Sequence, residues 1–179
     1  APKKASQHVP VEEVLWGTAA LAQERTGRDA THIRSTLEAL SVNLNDSQWA
    51  ALQTAVEQRL ALIWGPPGTG KSETLRAILL GLLLDAHNAG RPVRILVTSN
   101  TYDATDNVVL KTFKRILELG SDITGQVRLA RLRSDSKEDA PDLPLGINLL
   151  NDPQSPEVRE LHALLGAGTT SVIVSAPPQ

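Results

Sequence analysis

The chain has 179 residues, an apolar fraction of 41% and a formal net charge of −2. That is enough for one domain with a real core, and the near-neutral balance advertises neither a nucleic-acid surface nor an acidic tail, although a local basic groove survives such averaging. The absence of cysteine excludes disulfides, zinc–thiolate sites and a cysteine nucleophile, and fits an intracellular, cytoplasmic chain.

No apolar run reaches about 18 residues, so no membrane span is expected, and the N-terminus carries no signal-peptide pattern. Methionine is absent even at position 1. The sequence therefore reads as a processed chain or an excised piece of something longer.

Residues 1–9 read as a loose polar tail. Val11, Val14, Leu15, Thr18 and Ala22 recur at helical spacing, with Gly27 as a stop. Asp29 is placed to cap a second helix carrying Ile33, Leu37 and Leu40 on one face. Together these helices form a small N-terminal unit, residues 1–43, read as a packing appendage. Asn45 or Asp46 caps a third helix with Trp49, Leu52 and Val56 facing inward. The apolar run Leu60-Ala61-Leu62-Ile63-Trp64 predicts a strand, with Trp64 buried.

A helix follows over residues 73–87, with Leu75, Ile78, Leu79, Leu82 and Leu83 inward and Gly90 ending the region. Residues 93–98 predict a second strand. The next helix carries Val108, Val109, Phe113, Ile116 and Leu117 and stops at Gly120. Residues 126–132 predict a third strand. Residues 133–156 hold four prolines and read as a long loop with one short helical turn near residues 147–150. Pro156 suits the first turn of a helix running to Leu165, and residues 171–175 predict a fourth strand. Strands alternating with helices predict an α/β fold, a three-layer parallel sheet covered on both faces.

Between the first strand and its helix lies Gly65-Pro66-Pro67-Gly68-Thr69-Gly70-Lys71-Ser72, which fits the phosphate-binding pattern G-x-x-x-x-G-K-[ST] without a mismatch. Each residue type has a physical task. Gly65, Gly68 and Gly70 let the backbone take positive φ, so that its N–H groups form an anion nest. The open helix start adds to the attraction. Lys71 places a point charge at the β- and γ-phosphates, and the Ser72 hydroxyl suits a Mg²⁺ ligand. Residues 65–73, Glu73 included, are the predicted ATP cradle. A plain Gly/Pro turn is the competing reading, but it needs neither the lysine nor the hydroxyl.

The flanks narrow the family. Leu44-Asn45-Asp46-Ser47-Gln48 lies one helix ahead of the loop, and Val93-Arg94-Ile95-Leu96-Val97-Thr98-Ser99-Asn100-Thr101 lies one helix after it. With the loop, these segments resemble superfamily 1 nucleic-acid helicases, in particular the subgroup that includes the nonsense-mediated-decay helicase. The likeness covers residues 44 to about 110 well. It implies a RecA-like P-loop fold over residues 44–179, incomplete, and roles at matching positions. Gln48 would read the adenine edge, its amide offering a donor and an acceptor. Its competing reading is an ordinary polar residue in a first helical turn. Thr98, Ser99 and Asn100 would touch the backbone of single-stranded DNA or RNA, or simply cap the next helix.

Other candidates receive the bland reading. Arg128, Arg131 and Arg133 are taken as partly solvated strand residues, and Asp103 and Asp106 as acids complementing a helix dipole rather than a metal site. Trp16 and Trp49 are assigned to packing. His8, His32, His87 and His162 have no partner at ligand spacing.

The family's hydrolysis also needs a D-E-x-x motif at the end of a buried strand, and no Asp-Glu pair occurs in the sequence. The expectation is therefore two-tiered. The parent is an ATP-dependent helicase or translocase whose remaining motor domains lie elsewhere. This chain is its ATP-binding segment, with little turnover alone. A non-catalytic nucleotide-binding module and another P-loop ATPase or kinase stay open as alternatives.

Overall fold

The computed structural model describes residues 25–132, 147–150 and 154–176. The expected helix over residues 11–22, with Trp16, lies outside them, as does Arg133. Helix α1 spans Ala30–Ala39 and starts where expected. The Asp29 carboxylate accepts the Thr31 N–H at 2.8 Å, which holds the acid below the usual carboxylate range. Helix α2 spans Asp46–Glu57, and Asn45 is its cap. Asn45 Oδ1 accepts the Gln48 N–H, and Gln48 Oε1 accepts the Asn45 N–H, both at 2.9 Å, closing a reciprocal capping box. Trp49, Leu52 and Val56 are buried, as their spacing predicts.

Helix α3, Lys71–Asn88, is apolar nearly all round and is buried over most of its length. Two of its leucines depart from the predicted inward face. Leu75 is exposed and Leu82 only half-buried. Gly81 marks the crossing with α1, since a Cβ there would lie 2.5 Å from Ile33 Cγ2. Strand β1, Arg94–Thr98, is followed by the amphipathic helix α4, Tyr102–Glu118, whose Val108, Val109, Phe113 and Ile116 face the core. The single turn α5, Ser121–Thr124, precedes β2, Val127–Leu132.

Residues 147–150, expected as a helical turn, are strand β3, Ile147–Leu150, paired parallel to β2 from Leu129↔Ile147 to Leu132↔Leu150. Four residues are too few for period to separate helix from strand. The free edge of β2 decides. Helix α6, Pro156–Ala167, is capped by Ser155, has proline in its first turn and ends at Gly168 with φ +66°. Strand β4, Ser171–Ala176, completes a parallel sheet in the order β1-β4-β2-β3.

Two apolar clusters make this an incomplete α/β RecA-like fold in three layers. On one face Leu129 and Ile173 join the core of α1, α2, α3 and α4. On the other, Ala130 and Val172 pack against Leu161 of α6.

The first predicted strand is overturned. Residues 60–64 belong to no strand or helix. A strand exists through its neighbour's hydrogen bonds, and among the described residues β1 pairs with β4 alone. Trp64, expected buried, is 90% exposed, as is Leu62 at 75%. Beside the unpaired edge of β1, Leu96 is also exposed.

Candidate functional site

The phosphate-loop candidate sits at the start of α3, and its backbone explains its glycines. Gly68 and Gly70 both have φ +82°, a left-handed conformation that disfavours any Cβ. Gly65 does not share it. Its constraint is space, because a Cβ there would lie 2.8 Å from Thr69 Oγ1. Gly70 is the N-cap of α3, and no side chain caps that end. The first N–H groups of an 18-residue helix are therefore left to other partners.

Within the loop, Thr69 Oγ1 donates to the Pro66 carbonyl at 2.9 Å. Lys71 Nζ donates to the carbonyls of Gly65 at 2.5 Å and Pro66 at 2.7 Å. The ammonium thus lies folded against the loop's own backbone. Thr74 Oγ1 donates to the Gly70 carbonyl at 3.2 Å, fixing the first turn. Gln48 reaches the same place from α2, with Nε2 3.5 Å from the Thr69 carbonyl and against the space a Gly70 Cβ would fill. Sequence reasoning put Gln48 near the loop, and the fold brings it there, tied up in the capping box. Glu73, in the first turn, pairs with Arg76. A cleft of about 430 Å³ opens beside that turn, walled in part by Glu73, Arg76, Lys111 and Arg115.

Thr98, Ser99 and Asn100 lie at the carboxyl end of β1, the side of an open α/β sheet where ligands bind. Thr98 and Asn100 are exposed. The Ser99 hydroxyl donates to the Thr101 carbonyl at 2.6 Å. Thr101 Oγ1 caps α4 by accepting the Ala104 N–H at 3.3 Å.

Two sequence readings fail just behind this loop. Arg131 is not a partly solvated strand residue but is 95% buried, with 5% of its surface exposed. Its Nε and Nη2 each donate to Asp106, to Oδ1 and Oδ2 at 2.9 Å. The guanidinium also lies over the Tyr102 ring, 4.6 Å from its centroid. Asp106 therefore answers a buried cation rather than a helix dipole. An arginine inside a strand covered on both faces was the available signal, because such a charge needs a carboxylate.

Arg128 bonds the Gly125 and Val127 carbonyls. His87 Nδ1 lies 3.0 Å from Gln126 Oε1. Among the described residues no group of His, Asp and Glu could hold a metal by itself, and no helix is long and apolar enough to cross a membrane.

Residues 43–146 match the family described as AAA domain. The helicase required for RNAi-mediated heterochromatin assembly 1 of Schizosaccharomyces pombe is 40% identical over 82 residues, 44% of this chain and 8% of that protein. DNA polymerase alpha-associated DNA helicase A of Saccharomyces cerevisiae is 49% identical over 45 residues, 25% of this chain and 7% of that protein. An uncharacterized ATP-dependent helicase of Methanocaldococcus jannaschii is 35% identical over 85 residues, 46% of this chain and 12% of that protein. The chain thus spans only about a tenth of these relatives' length. No solved structure matches. The similarity to superfamily 1 helicases read from the loop and its flanks stands with these relatives.

Proposed function

This chain belongs to the AAA-domain family, and we propose that it is the ATP-holding segment of an ATP-dependent helicase or translocase motor. The observation that carries the reading is Lys71. Its ammonium sits inside a glycine loop that opens onto an uncapped helix start. That donor set fits a triphosphate, since backbone N–H groups and one mobile cation are what polyphosphate oxygens require.

In this reading the segment Gly65, Pro66, Pro67, Gly68, Thr69, Gly70, Lys71, Ser72 and Glu73 cradles ATP. Lys71 leaves the Gly65 and Pro66 carbonyls to meet the β- and γ-phosphates, which bring stronger, ionised acceptors. The Ser72 hydroxyl would ligate a Mg²⁺ ion shared with the phosphates. That ion, when bound, neutralises phosphate charge. Gln48 reads the adenine edge once its amide leaves the capping box. Thr98, Ser99 and Asn100 hold the sugar–phosphate backbone of single-stranded DNA or RNA, which carries no base information.

Cleavage of the γ-phosphate bond is not assigned to these residues, since no Asp-Glu pair is among them. The chain alone is expected to bind nucleotide with little or no turnover and to act with further motor domains of a longer protein. A division at residues 43 and 44 is part of the proposal, supported by where the family match begins. So is an intracellular location, cytoplasmic with the nucleus as the alternative, where ATP and single strands coexist.

Titration with a fluorescent ATP analogue tests the central point. Lys71→Ala is expected to weaken binding by roughly 10- to 100-fold, the loss of about 1.5–3 kcal/mol of charge-assisted hydrogen bonding. Equal affinity in both proteins would sink the cradle assignment. Competition with GTP tests Gln48, because Gln48→Ala is expected to lower the preference for ATP. An unchanged preference leaves Gln48 with its capping role alone.

A further inference from the structure

The first two turns of α4 are gripped from two sides by groups that the nucleotide reading does not use. From the sheet, Arg131 of β2 holds Asp106 with two bonds of 2.9 Å and lies over the Tyr102 ring. From the other side, Arg76 of α3 reaches the neighbouring Asn107, 3.4 Å from its carbonyl and 3.5 Å from its Oδ1, while also pairing with Glu73. Tyr102 is the first residue of α4 and directly follows Ser99, Asn100 and Thr101. Whatever fixes Tyr102 and Asp106 fixes the path of that loop.

The Arg131–Asp106 pair is an expensive way to make a contact. The side chains are only 6% and 17% exposed, so both charges lose most of their water. Such pairs are frequently no more stabilising than apolar residues of the same shape, whereas a forked guanidinium on a carboxylate dictates one geometry. Apolar packing lets a helix end slide or tilt, but a bidentate pair and a stacked ring permit neither. The arrangement makes sense where angle and register matter more than net stability. That is the condition of a loop that must present short side chains to a phosphate backbone.

We propose that Arg131 is a positioning residue, which acts through Asp106 and Tyr102 to hold Thr98, Ser99 and Asn100 in the geometry that binds a single-stranded nucleic acid backbone. Arg76 ties the same turn of α4 to the helix that starts at the phosphate loop. The inference rests on the reading of these three residues as the single-strand contact.

The test uses the 179-residue chain, a fluorescein-labelled oligothymidylate or oligouridylate followed by anisotropy, and hydrogen exchange over residues 99–104. Arg131→Met is expected to weaken oligonucleotide binding about tenfold, as small misplacements of contact groups do. It should speed exchange at residues 99–104 by about tenfold, and leave α3 exchange and ATP-analogue affinity within about twofold, because only a local opening is made easier.

The double variant Arg131→Met/Asp106→Leu removes the burden of an unpaired buried carboxylate, so its thermal midpoint should recover. Its oligonucleotide affinity should not. Recovery of affinity together with stability would overturn the proposal and leave the pair a packing feature, as would unchanged loop exchange in both variants. Asn100→Ala separates the two levels. If it leaves oligonucleotide affinity unchanged, or the unsubstituted chain binds no oligonucleotide, the strand-contact reading itself fails and takes the positioning role with it.

Discussion

Helices α3 and α4 both begin at the carboxyl side of the sheet, and they begin in opposite ways. Helix α3 starts from Gly70, left-handed and without a side-chain cap. Helix α4 starts from Thr101, whose hydroxyl takes the Ala104 N–H, after a Ser99 hydroxyl that takes the Thr101 N–H at 3.3 Å. A capped start spends its donors internally, whereas a glycine start keeps them for a ligand. The difference separates a helix start whose N–H donors no side chain takes up from a loop that offers hydroxyl and amide side chains instead. It also shows that a helix N-terminus is no site by itself, since both helices have one.

The anchoring differs in the same sense. Helix α3 is held mainly by burial from Ala77 onward, while its first turn carries the Thr74 bond to the Gly70 carbonyl and the Glu73–Arg76 pair. Helix α4 has one buried face and a polar remainder, and its first turns are fixed by Asp106 and Arg131. Dispersed apolar contacts suit a deeply seated helix. A directional pair suits one whose end must not drift.

The largest effect that could break this contrast is at Gly70. Gly70→Ala places a Cβ in a left-handed backbone, at about 1–2 kcal/mol, and drives it against Gln48 Nε2. Loss of ATP-analogue affinity by about tenfold is expected, a typical consequence of displacing backbone donors from an oxyanion. Adding Gln48→Ala relieves the crowding but not the φ penalty, so the melting temperature should recover in part and the affinity should not. Full affinity in Gly70→Ala would mean that the loop tolerates another backbone and that α3 is not the open helix described.

A smaller effect tests the other helix. Thr101→Ala removes the α4 cap and is expected to cost about 1 kcal/mol in denaturant unfolding. ATP-analogue binding should not change, because α4 supplies no donor to the phosphate loop. A change in nucleotide affinity from this substitution would merge the two helix starts into one site. The contrast would then lose its meaning.

Much of this arrangement was legible beforehand, and the failures share a cause. The glycine loop, the capping of α1 and α2, and the inward positions of α4 depend on residues close in sequence, where spacing and side-chain type decide. Residues 60–64 and 147–150 depend on an edge supplied from elsewhere. The first run has the composition of a strand but has no partner among the described residues. The second fits a helical turn by spacing, yet β2 offers it an edge. Arg131 and Asp106 are 25 residues apart and looked ordinary one at a time. Gln48 stood between two readings. The cap at Asn45 or Asp46 was legible, whereas the reciprocal bond from Gln48 and its reach to Thr69 needed the fold.

The smallest expected effect concerns Ser175. It is registered between Val97 of β1 and Arg131 of β2, so its side chain shares the face on which α4 lies. It is 1% exposed, and among the described residues its Oγ is a buried side-chain atom without a hydrogen-bond partner. A buried hydroxyl in that state costs stability, and Ser175→Ala removes it while keeping nearly the same volume. Denaturant unfolding should give a change between zero and about 1 kcal/mol in favour of the variant. Oligonucleotide affinity should stay where it is, since the proposed positioning of the strand-end loop runs through Arg131 and Asp106 and not through Ser175. A loss of stability instead would mean that the hydroxyl finds a partner in solution. The end of the sheet would then hold a wider polar network, of which the bidentate pair is one part.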